Sequence, residues 1–245
     1  QCVKADLTVT FCREKYAHRL PASLEYCGKV ELCDIGIPQE AVDSVHPNAH
    51  LITEQTLNQL LPPRKANAHK GMFGRILLIG GSLTMSGAIS MAAKACLRTG
   101  GGLVTTAVPQ VIHSVVAQRS MESMCIPLPC QEGAISKDAI PTLLEFAKKC
   151  DAVAIGCGMT VTEDTKQVVA ALLAHVTCPL ILDADAINCV ASHMELLQKA
   201  AGPVILTPHS GEMGRLLGLT PQEVEADRMG AVRKLADTYH VTALL

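Results

Sequence analysis

The chain has no tryptophan, and phenylalanine and tyrosine together make up only 2% of its 245 residues. Its core must therefore be packed from Leu, Ile, Val, Ala and Met. Stacking aromatics are scarce, no basic cluster stands out and the net charge is −2, which argues against a nucleic-acid-binding surface. No apolar run approaches the roughly 18 residues that a membrane-spanning helix needs. The eleven cysteines are odd in number and contain no CxxC pair, which argues against a disulfide or zinc framework. They read as reduced thiols filling a core, in a protein of the cytoplasm that shows no signal peptide. The glycine-rich "GGSLTMSGA" lacks both the GK[ST] of a Walker A loop and the GxGxxG of a dinucleotide fingerprint. No repeat of fixed period and no low-complexity segment is present.

Apolar residues make up 49% of the chain, enough for a sizeable core. From residue 75 onward short apolar runs alternate with helical stretches. "RILLIGG", "GLVTTAV", "DAVAIG", "PLILDAD", "PVILTP" and "VTALL" read as strands, too short for helices and without polar alternation. Helices are expected after the first strand, near 138–149, near 163–175, to about 199 and to about 239, with a less defined patch up to Pro129. This rhythm predicts right-handed βαβ crossovers and a mainly parallel sheet between two helical layers. Upstream, "LTVTF" and "GKVELCDIGIP" flank a polar stretch, and this segment is too small to bury a core alone. "LITEQTLNQLLPPR" suggests a short helix capped at Thr53 and stopped by Pro62 and Pro63. Both ends read as cuts through a longer protein, and an unfinished sheet edge at "VTALL" could be covered by further chain or by a second copy in a homo-oligomer.

In such a sheet ligands bind beyond the carboxyl ends of the strands. The residues found there are Gly81 and Ser82, leading to Ser86, Gly87 and Ala88; Gly156, Cys157 and Gly158; Asp183 and Asp185; and Thr207, Pro208 and His209. Glycines beside helix starts would suit a nucleotide phosphate, and each also has an ordinary reading as a tight turn. Asp185 is expected to cap the next helix, while Asp183 could orient a hydroxyl or a metal-bound phosphate. In "ILTPHSGEMGRLLG", Pro208 ends the strand, Ser210 is expected to cap a helix with Glu212 in its first turn, and His209 is left either facing a ligand or filling a corner. His69 precedes a strand at the opposite edge and reads as structural, whereas Lys70 is a solvated charge or a phosphate contact. Cys157, between two glycines, is the thiol to watch for reactivity.

The motifs "HKGMFGRILLIGGS", "SGAISMAAKACLRTGGGLV", "AIGCGM", "ILDADAIN" and "ILTPHSGEMGRLLG" occur in the order and spacing of one family. Over about residues 50–245 the chain resembles the ADP/ATP-dependent NAD(P)H-hydrate dehydratases, which have a ribokinase-like fold. The segment "VKADLTVTF…GKVELCDIGIP" resembles the tail of an NAD(P)H-hydrate epimerase domain, which precedes the dehydratase in bifunctional repair enzymes. The resemblance implies a ribokinase-like three-layer α/β/α domain over residues 47–245, truncated at its C-terminus, after an epimerase remnant and linker over residues 1–46. It implies a metabolite-repair reaction in which ADP or ATP, with Mg2+, phosphorylates the hydroxyl of hydrated NADH or NADPH and phosphate then leaves. Ala88, Gly158 and His209 match the family's positions around the hydrated cofactor, and Asp183 joins them as a candidate substrate contact.

The family's phosphate-binding Lys-Gly segment and its catalytic Gly-Asp motif follow the strand that begins here as "VTALL". Neither lies before Leu245, so no catalytic or nucleotide-binding residue is assigned, no metal ligand is expected, and residues 1–245 alone are expected not to turn over. Two other readings stay open. One is a small-molecule or vitamin-precursor kinase of the same superfamily. The other is a non-catalytic module that binds nucleotide.

Overall fold

The computed structural model describes residues 2–46, 49–61 and 63–245. The chain divides into two compact units, residues 1–64 and 65–245. The domain boundary read from the sequence, after residue 46, falls inside the first unit; Pro47 beyond it and the helix-stopping Pro62 lie outside the described residues.

In the first unit β1 (Leu7–Phe11) and β2 (Lys29–Cys33) pair in parallel, joined through α1 (Pro21–Cys27). Leu7, Val9, Phe11 and Leu32 stay exposed, as expected of a strand pair too small to enclose a core. Two short helices follow, α2 (Gln39–Ser44) and α3 (Glu54–Leu60). The cap expected for α3 is present: Thr53 Oγ1 accepts the Thr56 N–H at 3.3 Å.

The second unit begins with β3 (Arg75–Ile79), α4 (Ser86–Arg98), β4 (Leu103–Pro109), α5 (His113–Arg119) and β5 (Met124–Leu128). A hairpin of β6 (Cys130–Gln131) and β7 (Ala134–Ile135) leads to α6 (Ile140–Ala147), β8 (Ala152–Ile155) and α7 (Glu163–His175). Then come β9 (Leu180–Leu182), α8 (Asp185–Val190), α9 (Glu195–Gln198) and β10 (Val204–Leu206). The chain closes with α10 (Ser210–Leu217), α11 (Pro221–Ala226), α12 (Arg228–Tyr239) and β11 (Thr242–Ala243). Seven strands form one sheet in the order β11-β10-β9-β8-β3-β4-β5, every neighbouring pair parallel.

The period-2 alternation of strands divides the core into two layers. Leu77 and Ile79 of β3 face one side, with Val153, Ile155, Leu180 and Leu182. Leu78, between them, faces the other side with Val104 and Val108, against Ile89 and Ala93 of α4 and Val116 of α5. The first side is covered by α6, α7, α8, α10 and α12, which contribute Leu143, Leu172, Ile187, Met213 and Leu235. The result is the expected three-layer α/β/α arrangement. α7 shows why these segments are helical: Thr165, Val168, Val169, Leu172 and Leu173 are all buried, at the i, i+3, i+4, i+7, i+8 spacing of one helix face. Thr162 caps it by accepting the Thr165 N–H at 3.1 Å, with Glu163 and Asp164 in the first turn.

Some expectations change. The stretch before Pro129 resolves into α5 and β5, and the hairpin after it was not foreseen. The single helix expected after Asp185 is two short helices, and the helices expected after Pro208 are three in number. The cysteines follow the expectation in part: all eleven are free thiols, Cys189 is buried and Cys96, Cys125, Cys150 and Cys178 pack against the core, whereas Cys2 and Cys33 are exposed. Among the described residues no helix is long and apolar enough to cross a membrane.

Candidate active site at the carboxyl edge of the sheet

From β3 the chain winds outward through β4 to β5, then crosses to β8 on the other side and winds outward again through β9, β10 and β11. The winding direction therefore reverses between β3 and β8. The turns leaving these two strands diverge, which opens a crevice beyond their carboxyl ends. Across it the Gly81 N–H donates to the Cys157 carbonyl at 2.9 Å. A Cβ on Gly158 would sit 2.9 Å from the Met85 Cβ and 3.1 Å from the Ala88 Cβ. Gly158 is also at φ +66°, the left-handed region in which a side chain is strained. Gly158 is itself buried, so Ala88 and Gly158 pack together as one wall of the crevice with no room for a side chain between the two turns.

The same edge continues across β9 and β10. Asp183, just past β9, is half-buried, and both of its carboxylate oxygens are taken. Oδ1 accepts from Thr207 Oγ1 at 2.7 Å, and Oδ2 accepts from the Cys157 thiol at 3.2 Å. The carboxylate thus ties together the turns after β8 and β10. Burial, followed by the bond to Asp183 and its negative charge, pushes the Cys157 thiol up to about 12. Cys157 is consequently a neutral donor, and the expectation of a reactive thiol is corrected, because its surroundings disfavour the thiolate. Asp185 does not cap its helix as expected. The cap position is Ala184, and Asp185 Oδ2 accepts the Thr160 N–H at 2.9 Å instead.

His209 stands at the far side of this chain of contacts, two residues beyond Thr207. It takes the role assigned to Ser210, which is the first helical residue. The ring Nδ1 accepts the Gly211 N–H at 3.0 Å and caps α10. A neutral ring that accepts at Nδ1 carries its proton on Nε2. Nε2 lies 3.4 Å from Glu212 Oε1, and the ring is largely open to solvent. Glu212 is buried, and its Oε2 accepts the His209 backbone N–H at 2.9 Å. The ring is therefore fixed from two sides with an N–H at the surface.

Of the four candidate contacts, Ala88 and Gly158 touch, Asp183 bonds the residue before Gly158, and His209 is reached through Thr207. All four lie on the carboxyl edge, whereas His69 and Lys70 precede β3 on the opposite edge. Sequence reasoning missed three contributors. Glu212 passed as a first-turn charge because nothing local signals its burial. Thr207 was noted without a role. Arg119, at the end of α5, brings its guanidinium within 3.7 Å of a Cβ placed on Gly87, a cation beside the start of α4 that only the tertiary fold creates. Among the described residues no three His, Cys, Asp or Glu side chains come together to hold a metal ion.

An all-parallel sheet sandwiched between helices, with its crevice at the reversal of winding, is the architecture of the ribokinase-like α/β proteins. A ribokinase-like superfamily protein from Enterococcus faecalis superposes with a TM-score of 0.66 at 24% identity, over 82% of this chain and 68% of that one. The sequence model of the family described as NAD(P)H-hydrate dehydratase matches residues 76–245, and the chain belongs to that family. The solved ADP/ATP-dependent NAD(P)H-hydrate dehydratase of Bacillus subtilis, co-crystallised with ATP and Mg2+, gives a TM-score of 0.62 at 28% identity, over 79% of this chain and 65% of that one. The bifunctional NAD(P)H-hydrate repair enzyme Nnr of Moorella thermoacetica is 40% identical across all of this chain, and that of Salinibacter ruber is 34% identical across 99% of it. The chain spans 46% of the length of each of these two relatives.

Proposed function

We propose that the protein carrying these residues restores NADH or NADPH from its hydrated form at the crevice between β3 and β8. The observation that carries this reading is the junction of the two turns, where the Gly81–Cys157 bond and the Ala88–Gly158 packing bring the segments leaving β3 and β8 together at the carboxyl edge of the sheet. The match of the whole chain to 46% of the length of a bifunctional repair enzyme supports it. On the same ground, residues 1–46 are read as the tail of an epimerase domain, since the dehydratase family model begins only at residue 76.

Hydroxide is a poor leaving group, and a nucleoside di- or triphosphate supplies the phosphoryl group that converts the ring hydroxyl into a good one. Elimination then expels inorganic phosphate while the neighbouring ring carbon gives up a proton, restoring the double bond. The described residues contribute positioning and hydrogen bonds. The close packing of Ala88 on Gly158 holds together the two turns that border the ring. The exposed His209 ring, oriented by Gly211 and Glu212, is the polar group offered to the substrate at this end of the edge. Arg119 is a cation for the dinucleotide's phosphates. Mg2+ would arrive with the nucleotide's phosphates. Eleven free thiols suit the reducing cytoplasm.

A His209→Asn substitution tests the assignment of the histidine. Asparagine is a good helix cap, so the variant is expected to melt within about 2 °C of the parent, while affinity for hydrated NADH drops about tenfold. A His209→Ala variant is expected to lose both. Unchanged affinity in the asparagine variant would remove His209 from the site.

A further inference from the structure

Beside the Ala88–Gly158 wall lies a hollow of about 400 Å³ that the reading above does not use. The turn after β3 supplies Ser82, Leu83 and Thr84, the β6–β7 hairpin supplies Gln131 to Ile135, and the region around the start of α7 supplies Thr160 and residues 162–164. These elements are tied together. The Leu83 N–H donates to the Gly133 carbonyl at 2.9 Å, and the Lys137 N–H donates to Asp164 Oδ2 at 3.1 Å. The hollow opens on the same edge as the crevice, because Thr84 precedes Ser86 and Ala88 on one rim and Thr160 follows Gly158 on the other.

Two features give it a chemical character. Ser82 is only 3% exposed, and its hydroxyl is, among the described residues, the buried side-chain polar atom left without a hydrogen-bond partner. Buried hydroxyls are ordinarily satisfied, so the wall carries one unused donor and acceptor. Further, the charged residues of the lining are Glu132, Glu163 and Asp164, with no Lys, Arg or His among the described lining residues. Lys166, in the first turn of α7, is paired with Glu163 at 3.5 Å. A lining of this kind repels phosphate and accepts hydrogen bonds from hydroxyls. A carboxylate facing a ribose 2′-hydroxyl is how nucleotide sites take a free diol, whereas a 2′-phosphate calls for an arginine.

We propose that this hollow receives the adenosine end of the hydrated dinucleotide, with a free 2′,3′-diol, and that its carboxylates discriminate against the 2′-phosphate of the NADPH form. The inference rests on the dehydratase reading, and it adds a preference for hydrated NADH, with Glu132 and Glu163 as its determinants.

Equilibrium titration of the full-length protein with hydrated NADH and hydrated NADPH, in parallel at fixed ionic strength, tests it. Hydrated NADH is expected to bind at least about tenfold more tightly. In a Glu132→Gln, Glu163→Gln double variant, both positions being at the rim, the ratio is expected to fall below about threefold, through tighter binding of hydrated NADPH. Ser82→Ala is expected to weaken hydrated NADH about threefold to tenfold. Equal affinities in the parent protein, or a ratio that survives the double substitution, would overturn the subsite and leave the dehydratase reading standing. Failure of both hydrates to bind would overturn the dehydratase reading itself and the subsite with it.

Discussion

Asp183 and Cys157 show how a site residue is defined by what it touches. An aspartate after a buried strand invites a catalytic role, and a cysteine between glycines invites a reactive one. In the folded chain each answers the other: the carboxylate accepts the thiol proton at 3.2 Å, and the thiol loses its tendency to ionise. Cys157 should therefore be alkylated by iodoacetamide far more slowly than the exposed Cys33 near neutral pH, as read by mass spectrometry of partially labelled protein; comparable rates would contradict the bond. The linkage has a definite sign. Between the unfolded thiol's value of about 8.5 and the folded value of about 12, the folded chain keeps a proton that the unfolded chain has lost. Stability from this group is full below that window and declines as pH rises through it. Cys157→Ala should flatten the alkaline fall in the urea midpoint, compared at about pH 8 and pH 10.5. Thr207→Val, which strips Asp183 of its other side-chain donor, should cost about 1–3 kcal/mol in urea unfolding.

Strands and helices were legible where a single periodicity runs uninterrupted. The buried stripe of α7, from Thr165 to Leu173, could be read from residue spacing alone, and a Leu172→Ala substitution there should cost about 2–5 kcal/mol. The turns were harder to read, because their roles are set by partners far along the chain. Ser210 and Asp185 have the chemistry of helix caps, yet His209 and Ala184 occupy those positions, the aspartate having been drawn to the Thr160 N–H on another turn. The glycine after β8 makes the same point. A Cβ on Gly156 would lie 1.8 Å from the Asp183 carbonyl oxygen, at a φ of +131°. Gly156→Ala should therefore cost about 3 kcal/mol or more and lower the melting temperature accordingly, while an alanine at the exposed Gly36, also at positive φ (+76°) but with nothing within 4 Å of its Cβ, isolates the steric part of that cost. Nothing in "AIGCGM" shows that the first of its glycines is the more constrained by tertiary contacts.

Across the whole chain, seven parallel strands with one reversal of winding bring Ala88, Gly158, Asp183 and His209 to a common edge although they span more than a hundred residues of sequence. That convergence was foreseeable from the alternation of strands and helices, because parallel strands joined by right-handed crossovers leave all their carboxyl ends on one side. The acidic hollow was not foreseeable, since its hairpin is two residues per strand and its wall combines three distant segments. The proposed chemistry also separates this protein from a kinase built on the same sheet, since both would accept phosphate from a nucleotide and only one would release it. The most direct test follows the fate of the ring and of the phosphate together, by incubating the full-length protein with hydrated NADH, Mg2+ and ATP or ADP. The account predicts that reduced-nicotinamide absorbance returns in step with an equal amount of inorganic phosphate; a stable phosphate ester accumulating without that absorbance would contradict it.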